Sequence, residues 1–349
     1  MTAQPEVALP RSGGTETPLR VPVDGGELVA TLWNADAPGE PVVAIHGITA
    51  NHRSFTPLAR RLDAPLLAVD LRGRGASRTL PAPFGLVQHA EDVAAAIRYA
   101  GFASVRVVGH SMGGFVAVRL AHAHPELVSS MLLVDGGLPL PPAPEGSAQS
   151  PEDLLGPAIE RLTMHFASND AYRDFWREHP AFGPYWSTAI EEYVDYDLVE
   201  VATPGTGETV LRPSANPDAV VANLVELDGR DGYTEALLSL TTPTAMLRSP
   251  RGLFDEPPGL YDDAWIAAWR ARLPALSITD IEHTNHYTIL MGEGVDAVAE
   301  ALRRLTSVSE TDAGGTPAAQ TDAGGTPAAQ AHAGGTPAAQ THAEQKEAR

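Results

Sequence analysis

The sequence predicts an α/β fold, a doubly wound and mostly parallel sheet with a helical cap inserted into it. Five short runs, PVVAIH (41–46), LLAVD (66–70), VRVVG (105–109), MLLVD (131–135) and PTAMLR (243–248), are continuous rather than alternating in their apolar residues, the pattern of strands covered on both faces. Amphipathic segments lie between them. Ala90, Val93, Ala94 and Ile97 share one helical face, as do Val295, Val298, Leu302 and Leu305. Strands alternating with helices predict a wound parallel sheet.

Each element follows in order. Residues 19–33 alternate in period two on both sides of Asp24-Gly25-Gly26, which predicts an antiparallel hairpin at one edge of the sheet, and residues 1–18 before it are expected to be flexible. The core then spans 19–135 and 241–307. Residues 136–240 interrupt the strand rhythm and are expected to form the cap, with a helical pattern at Leu155, Ile159, Leu162 and Phe166. This insertion carries Phe166, Tyr172, Phe175, Trp176, Phe182, Tyr185, Trp186, Tyr193, Tyr196 and Tyr233, enough aromatic surface to build its own small core and to line a pocket. Residues 308–349 are expected to be a disordered tail. Within them TDAGGTPAAQ occurs twice and AHAGGTPAAQ once, a ten-residue period with no apolar face to stack.

Composition excludes several kinds of chemistry. The chain has 349 residues, 43% of them hydrophobic, so it can bury a large core. Its 24 basic and 44 acidic residues give a formal charge of -20, which argues against an extended nucleic-acid or anionic-membrane footprint. No cysteine is present, so disulfides, thiolate metal sites and a thiol nucleophile are excluded. The first twenty residues lack the apolar stretch of a secretion signal and no run of about 18 apolar residues occurs, so a cytoplasmic location is expected.

The stretch VVGHSMGG (107–114) places Ser111 in a GxSxG pattern between an apolar strand and the helical sequence FVAVRLA. A serine hydroxyl is a weak nucleophile until a base takes its proton and donors receive the charge that develops on the carbonyl oxygen. Gly109 and Gly113 give room for a sharp strand-to-helix turn at Ser111, and Gly114 lets the helix approach the sheet. Among twelve histidines, His283 and His286 sit in a loop after the strand-like LSITDI and before the last helix. His122 and His124 do not share a helical face and make a poor metal pair; His46 and His110 are expected to make local hydrogen bonds or touch substrate.

With GHSMGG, the motifs HGITAN (46–51), DLRGRGAS (70–77) and TNHYTIL (284–290) make residues 19–307 resemble the α/β-hydrolase superfamily, in its cap-bearing, lipase- and esterase-like branch. The resemblance implies Ser111 as nucleophile, His286 as base, and the backbone N–H groups of Ile48 and Met112 as the oxyanion hole. It implies an acid after one of two strands. Asp255 is expected to serve, with Asp135 the alternative and Glu256 behind both. Asp70 and Arg72 are expected only to brace their loop. The activity implied is cleavage of a carboxylic ester of a small, largely apolar substrate through an acyl-enzyme, with no cofactor or metal. A carbon-carbon bond hydrolase of the same fold and a non-catalytic ligand-binding homologue remain open at this point. Dehalogenase and epoxide hydrolase chemistry would need aspartate where Ser111 stands. The partner expected is a small-molecule substrate; nothing in the sequence specifies an oligomeric state.

Overall fold

The computed structural model describes residues 15–142, 160–202 and 209–311. In chain order its strands are β1 (Glu16–Val23), β2 (Gly26–Trp33), β3 (Val42–Ile45), β4 (Leu66–Val69), β5 (Val105–His110), β6 (Val128–Val134), β7 (Leu198–Ala202), β8 (Thr209–Pro213), β9 (Thr244–Arg248) and β10 (Ser277–Asp280). Its helices are α1 (Thr56–Ala59), α2 (Leu86–Tyr99), α3 (Met112–Ala123), α4 (Asn169–Arg177), α5 (Thr188–Tyr196), α6 (Pro217–Leu224), α7 (Tyr233–Leu238), α8 (Asp263–Arg272), α9 (Thr288–Met291) and α10 (Val295–Thr311).

Eight strands form one sheet in the order β1-β2-β4-β3-β5-β6-β9-β10. The first two make the expected hairpin, paired from Glu16 with Trp33 to Val23 with Gly26, and β2 runs antiparallel to β4. The remaining pairings are parallel. Every residue of β3, β4 and β5 is buried, which is why these runs are apolar without alternation. Period two reappears in where the side chains go. Val43, Ile45, Leu67, Val69 and Val107 join a cluster with α2 and α3, whereas Val42, Ala44, Leu66, Ala68 and Val108 join one with α1 and α10 on the opposite face.

Strand order reverses between β3 and β5: the chain steps from β3 out to β4, then returns to the other flank of β3. At such a switch point the connections leave in opposite directions and open a crevice at the carboxyl ends of the strands. HGITAN and GHSMGG both begin there.

Two boundaries and the make-up of the cap differ from the sequence expectation. The N-terminal 18 residues are not uniformly loose, because β1 starts at Glu16 and hydrogen-bonds along β2. The last helix runs to Thr311, past the expected start of the tail at residue 308. The cap is not all helical: β7 and β8 pair antiparallel, and Phe166 bridges to Leu211 at their edge instead of continuing a helix, because its N–H and C=O find strand partners. Leu155 and Ile159 of that pattern lie outside the described residues, as do the three tail repeats apart from Thr311. Near the end of the insertion, α7 rejoins the core, with Tyr233 against Phe115 at 4.9 Å between ring centroids.

The loop 70–77 braces the core to the cap. Arg72 makes a two-pronged ion pair with buried Asp92, both bonds 2.9 Å, and also donates to the carbonyls of Pro81 and Asp24. Asp70 accepts from the backbone N–H and Nδ1 of His52, from Ala76 N–H and from the hydroxyl of Tyr196 on α5 at 2.7 Å. Burial opposes its charge, but His52 and these donors outweigh burial and hold the carboxyl well below its ordinary range. Ser214 extends the network by accepting from Gly75 N–H and donating to Asp197, which in turn binds Arg161 and Tyr172 inside the cap.

Three fully buried histidines give stability a pH dependence. Burial pushes His46 down to about 4, and burial joined by neighbouring positive charge pushes His89 and His110 down to about 3. They stay neutral in the native state, whereas the unfolded chain protonates them below about pH 6.5, so the unfolded state binds more protons and stability falls as pH falls. We expect denaturant unfolding to lose about 1.4 kcal/mol per pH unit for each such histidine between roughly pH 6 and 4. His89→Gln should flatten that slope by about one proton; a slope unchanged by the substitution would contradict the assignment.

Candidate functional site

Ser111 sits at φ 55°, ψ -126°, between the last residue of β5 and the first of α3. Such a conformation costs a non-glycine residue on the order of 1–3 kcal/mol and survives only where the surroundings dictate it. They do so here by close backbone packing. A methyl group at Gly113 would lie 1.9 Å from the carbonyl oxygen of Ile45, and one at Gly109 would lie 2.3 Å from that of Gly113. Gly136, which follows Asp135 and has no place in the GxSxG pattern, is equally constrained: its Cβ would come within 2.1 Å of the Ser111 carbonyl. The Ser111 N–H donates to Val134 at 3.0 Å, tying the turn to β6. Ser111 is partly exposed although nearly all its neighbours are buried.

Facing the same pocket is His286, 4% exposed. Its Nδ1 donates to Asp135 Oδ2 at 2.6 Å, which leaves Nε2 as the nitrogen able to take a proton. Asp135 is fully buried at the end of β6, and its other oxygen accepts from Ser249 N–H at 3.1 Å. His283 is exposed and its ring has no such partner.

The expected acid, Asp255, is not the partner of His286. Its loop after β9 carries it away to a site where Oδ1 accepts from Arg251 Nε at 2.9 Å and Asn285 Nδ2 at 3.1 Å, and Oδ2 from the Tyr185 hydroxyl at 3.2 Å. Glu256, beside it, is exposed. The long SPRGLFD turn has room to fold back on itself because Arg251 pairs with Asp255 four residues on. Asp135 needs no loop, since it directly follows the last residue of β6, between the elbow and β9, and its N–H donates to the Leu247 carbonyl at 2.7 Å.

The two expected oxyanion donors are oriented by their surroundings. Met112 is the first residue of α3, so its N–H is one of the unpaired donors of a helix N-terminus. The Gly47 carbonyl accepts from His46 Nδ1 at 2.8 Å and Ala50 N–H at 3.2 Å, and in a trans peptide this turns the N–H of Ile48 to the opposite side. The tautomer of His46 is set by Leu71 N–H, which donates to Nε2 at 3.0 Å. Arg74 holds the next carbonyl, that of Ile48, at 2.9 Å. Gly47 has no left-handed φ; it is glycine because a Cβ there would stand 3.1 Å from that of Ser111. His110 braces the site from below, its Nε2 donating to the His286 carbonyl at 2.7 Å.

The pocket opens where two apolar clusters meet. Phe115, Leu140, Leu224, Leu227 and Leu260 line it from the cluster around α3, and Ala50, Tyr193, Tyr287 and Met291 from the cluster inside the cap. Of the ten aromatic residues of the insertion only Tyr193 lines it; seven build the cap's own core, Tyr196 binds Asp70 and Tyr233 packs on Phe115. Among the described residues no group of three or more histidine, aspartate or glutamate side chains is arranged to hold a metal ion, and no helix is long and apolar enough to cross a membrane.

Comparison with known proteins agrees with this geometry. Residues 40–194 match the family model of the alpha/beta hydrolase fold. The chain is similar to lipase LipV of Mycobacterium tuberculosis, 31% identical over 56% of this chain and 83% of that one. It is 32% identical to lipase 1 of Psychrobacter immobilis over 46% of this chain and half of the other. The crystal structure of E-2-(acetamidomethylene)succinate hydrolase superposes with a TM-score of 0.67 over 84% of this chain and all of that one, at 22% identity, a likeness of fold. Sequence match, sheet order and the elbow at the switch point agree: the chain belongs to the α/β-hydrolase family and is a hydrolase.

Proposed function

We propose that the protein is a serine hydrolase that cleaves a carboxylic ester of a small, largely apolar substrate through an acyl-enzyme. The observation that carries this is the buried 2.6 Å hydrogen bond between His286 and Asp135, next to a strained serine on the wall of the same apolar pocket. That two of its relatives are lipases supports the choice of an ester bond.

In this mechanism Nε2 of His286 takes the proton of Ser111 as the oxygen attacks the ester carbonyl. Asp135 keeps the imidazole in the tautomer that can accept and stabilises the imidazolium that forms. The N–H groups of Ile48 and Met112 receive the negative charge on the carbonyl oxygen. The imidazolium then protonates the departing alcohol. In the second half His286 deprotonates water, which attacks the acyl-serine and releases the acid. The leucines of the pocket favour an aliphatic group over a charged one, because a buried charge would find no counter-ion among them.

Hydrolysis of short p-nitrophenyl esters tests the assignment. Ser111→Ala should lower kcat on the order of 10⁶-fold and abolish labelling by a fluorophosphonate probe. Wild-type protein that neither turns over the esters nor takes the label would refute the reading; turnover confined to a vinylogous diketone would move it to carbon-carbon cleavage.

The acid is tested separately. Asp135→Asn should cost on the order of 10⁴-fold in kcat by presenting His286 with the wrong tautomer, while Asp255→Asn should stay within about tenfold of wild type. The reverse ranking would return the role to Asp255.

A further inference from the structure

We propose that Asn285 is a positioning residue that couples the cap to His286, with Asp255 as its anchor. The proposal rests on the serine-hydrolase reading and concerns two residues which that mechanism does not use.

Asn285 is 1% exposed, and every hydrogen-bonding valence of its side chain is filled. Its Oδ1 accepts from the N–H groups of Tyr287 and Thr288, both at 2.9 Å, and so holds the chain on the far side of His286 at the start of α9. Its Nδ2 donates to Asp255 Oδ1 and to the carbonyl of Ala181, both at 3.1 Å. The amide can face only one way, because the partners of one atom are donors and those of the other are acceptors. Ala181 belongs to the cap, in the segment after α4. Asp255 also accepts from Tyr185, four residues further along that segment. On the other side of the histidine, Tyr287 packs on Phe182 with ring centroids 4.3 Å apart.

The cap therefore grips the chain immediately before and immediately after the base. A cap displaced from the pocket would drag Asn285 with it and rotate His286 between its two neighbours, so proton transfer depends on the cap being seated. Misplacing a catalytic group by about 1 Å costs on the order of 100-fold, enough to make Asn285 visible in kcat. The carboxylate of Asp255, one of the two positions at which the family resemblance implies the acid, gives the amide a fixed charge to bind and gives Tyr185 a reason to stay.

The test measures kcat and KM for a p-nitrophenyl ester, normalised to the fraction of protein that a fluorophosphonate titrates at Ser111. Asn285→Ala should lower kcat by about 10- to 100-fold with KM changed less than about threefold. Asp255→Ala and Tyr185→Phe, at less buried positions, should each lower kcat by about three- to tenfold. Asp255→Asn should recover most of the loss of Asp255→Ala, since its amide oxygen still accepts from Asn285. Combining Asn285→Ala with Asp255→Ala should be no worse than Asn285→Ala alone. Losses confined to KM, additive losses in the double variant, or full activity of Asp255→Ala and Tyr185→Phe would each overturn the proposal. Wild-type protein without esterase activity or labelling would instead refute the hydrolase reading itself.

Discussion

A serine at φ 55° cannot hold its place unaided, and the centre of this fold is arranged around keeping it there. Three glycines let the backbones of β3, β5, α3 and the loop after β6 approach until no Cβ could stand between them. The gain is geometric. The hydroxyl is lifted out of a fully buried strand to the rim of the sheet, where the helix N-terminus behind it presents unpaired N–H groups. The same packing brings Asp135 to the spot where its carboxylate reaches the imidazole, because Gly136 presses on the serine's own carbonyl.

Around that contact lies a shell of buried polar groups, most of which do no chemistry. His46 and Arg74 aim successive peptides of the turn after β3; Asp70, Tyr196, Ser214 and Asp197 run from the core loop into the cap. Each of these six side chains has a hydrogen-bond partner, whereas Nδ1 of His110 and Nε of Arg161 beside them are buried without one. Neutral histidine is used where an acceptor or a single donor is needed and a charge would be costly. A consequence is that the scaffold of the site is itself sensitive to acid.

The carboxylate beside His286 shows where sequence patterns stop being informative. Asp135 and Asp255 each follow a core strand and each precede His286 in the chain, so order and spacing do not separate them. What separates them is packing. β6 lies next to β5, so a residue at its end is within reach of the elbow by sheet geometry alone, whereas Asp255 depends on the path of a long turn. One local signal was available: Arg251 stands four residues before Asp255, a spacing at which the two can pair. Gly136 lies in no motif, and Asn285 stands in TNHYTIL with nothing local to show that its amide reaches Ala181 and Asp255, because those contacts are with residues distant in the chain.

The sequence by itself determined the alternation of buried strands and helices, the hairpin at the edge, the elbow at Ser111 and the histidine loop, because each is written in local periodicity or in residues whose backbone behaviour is local. It also bounded the chemistry, since a chain without cysteine has no thiol nucleophile to offer. Tertiary structure decided which carboxylate meets the imidazole, which aromatic residue reaches the pocket, and the strands within the cap. The first two depend on distances between segments far apart in the chain, 151 residues for Asp135 and His286, and a distance of that kind is set by how whole elements pack rather than by any neighbour in the chain.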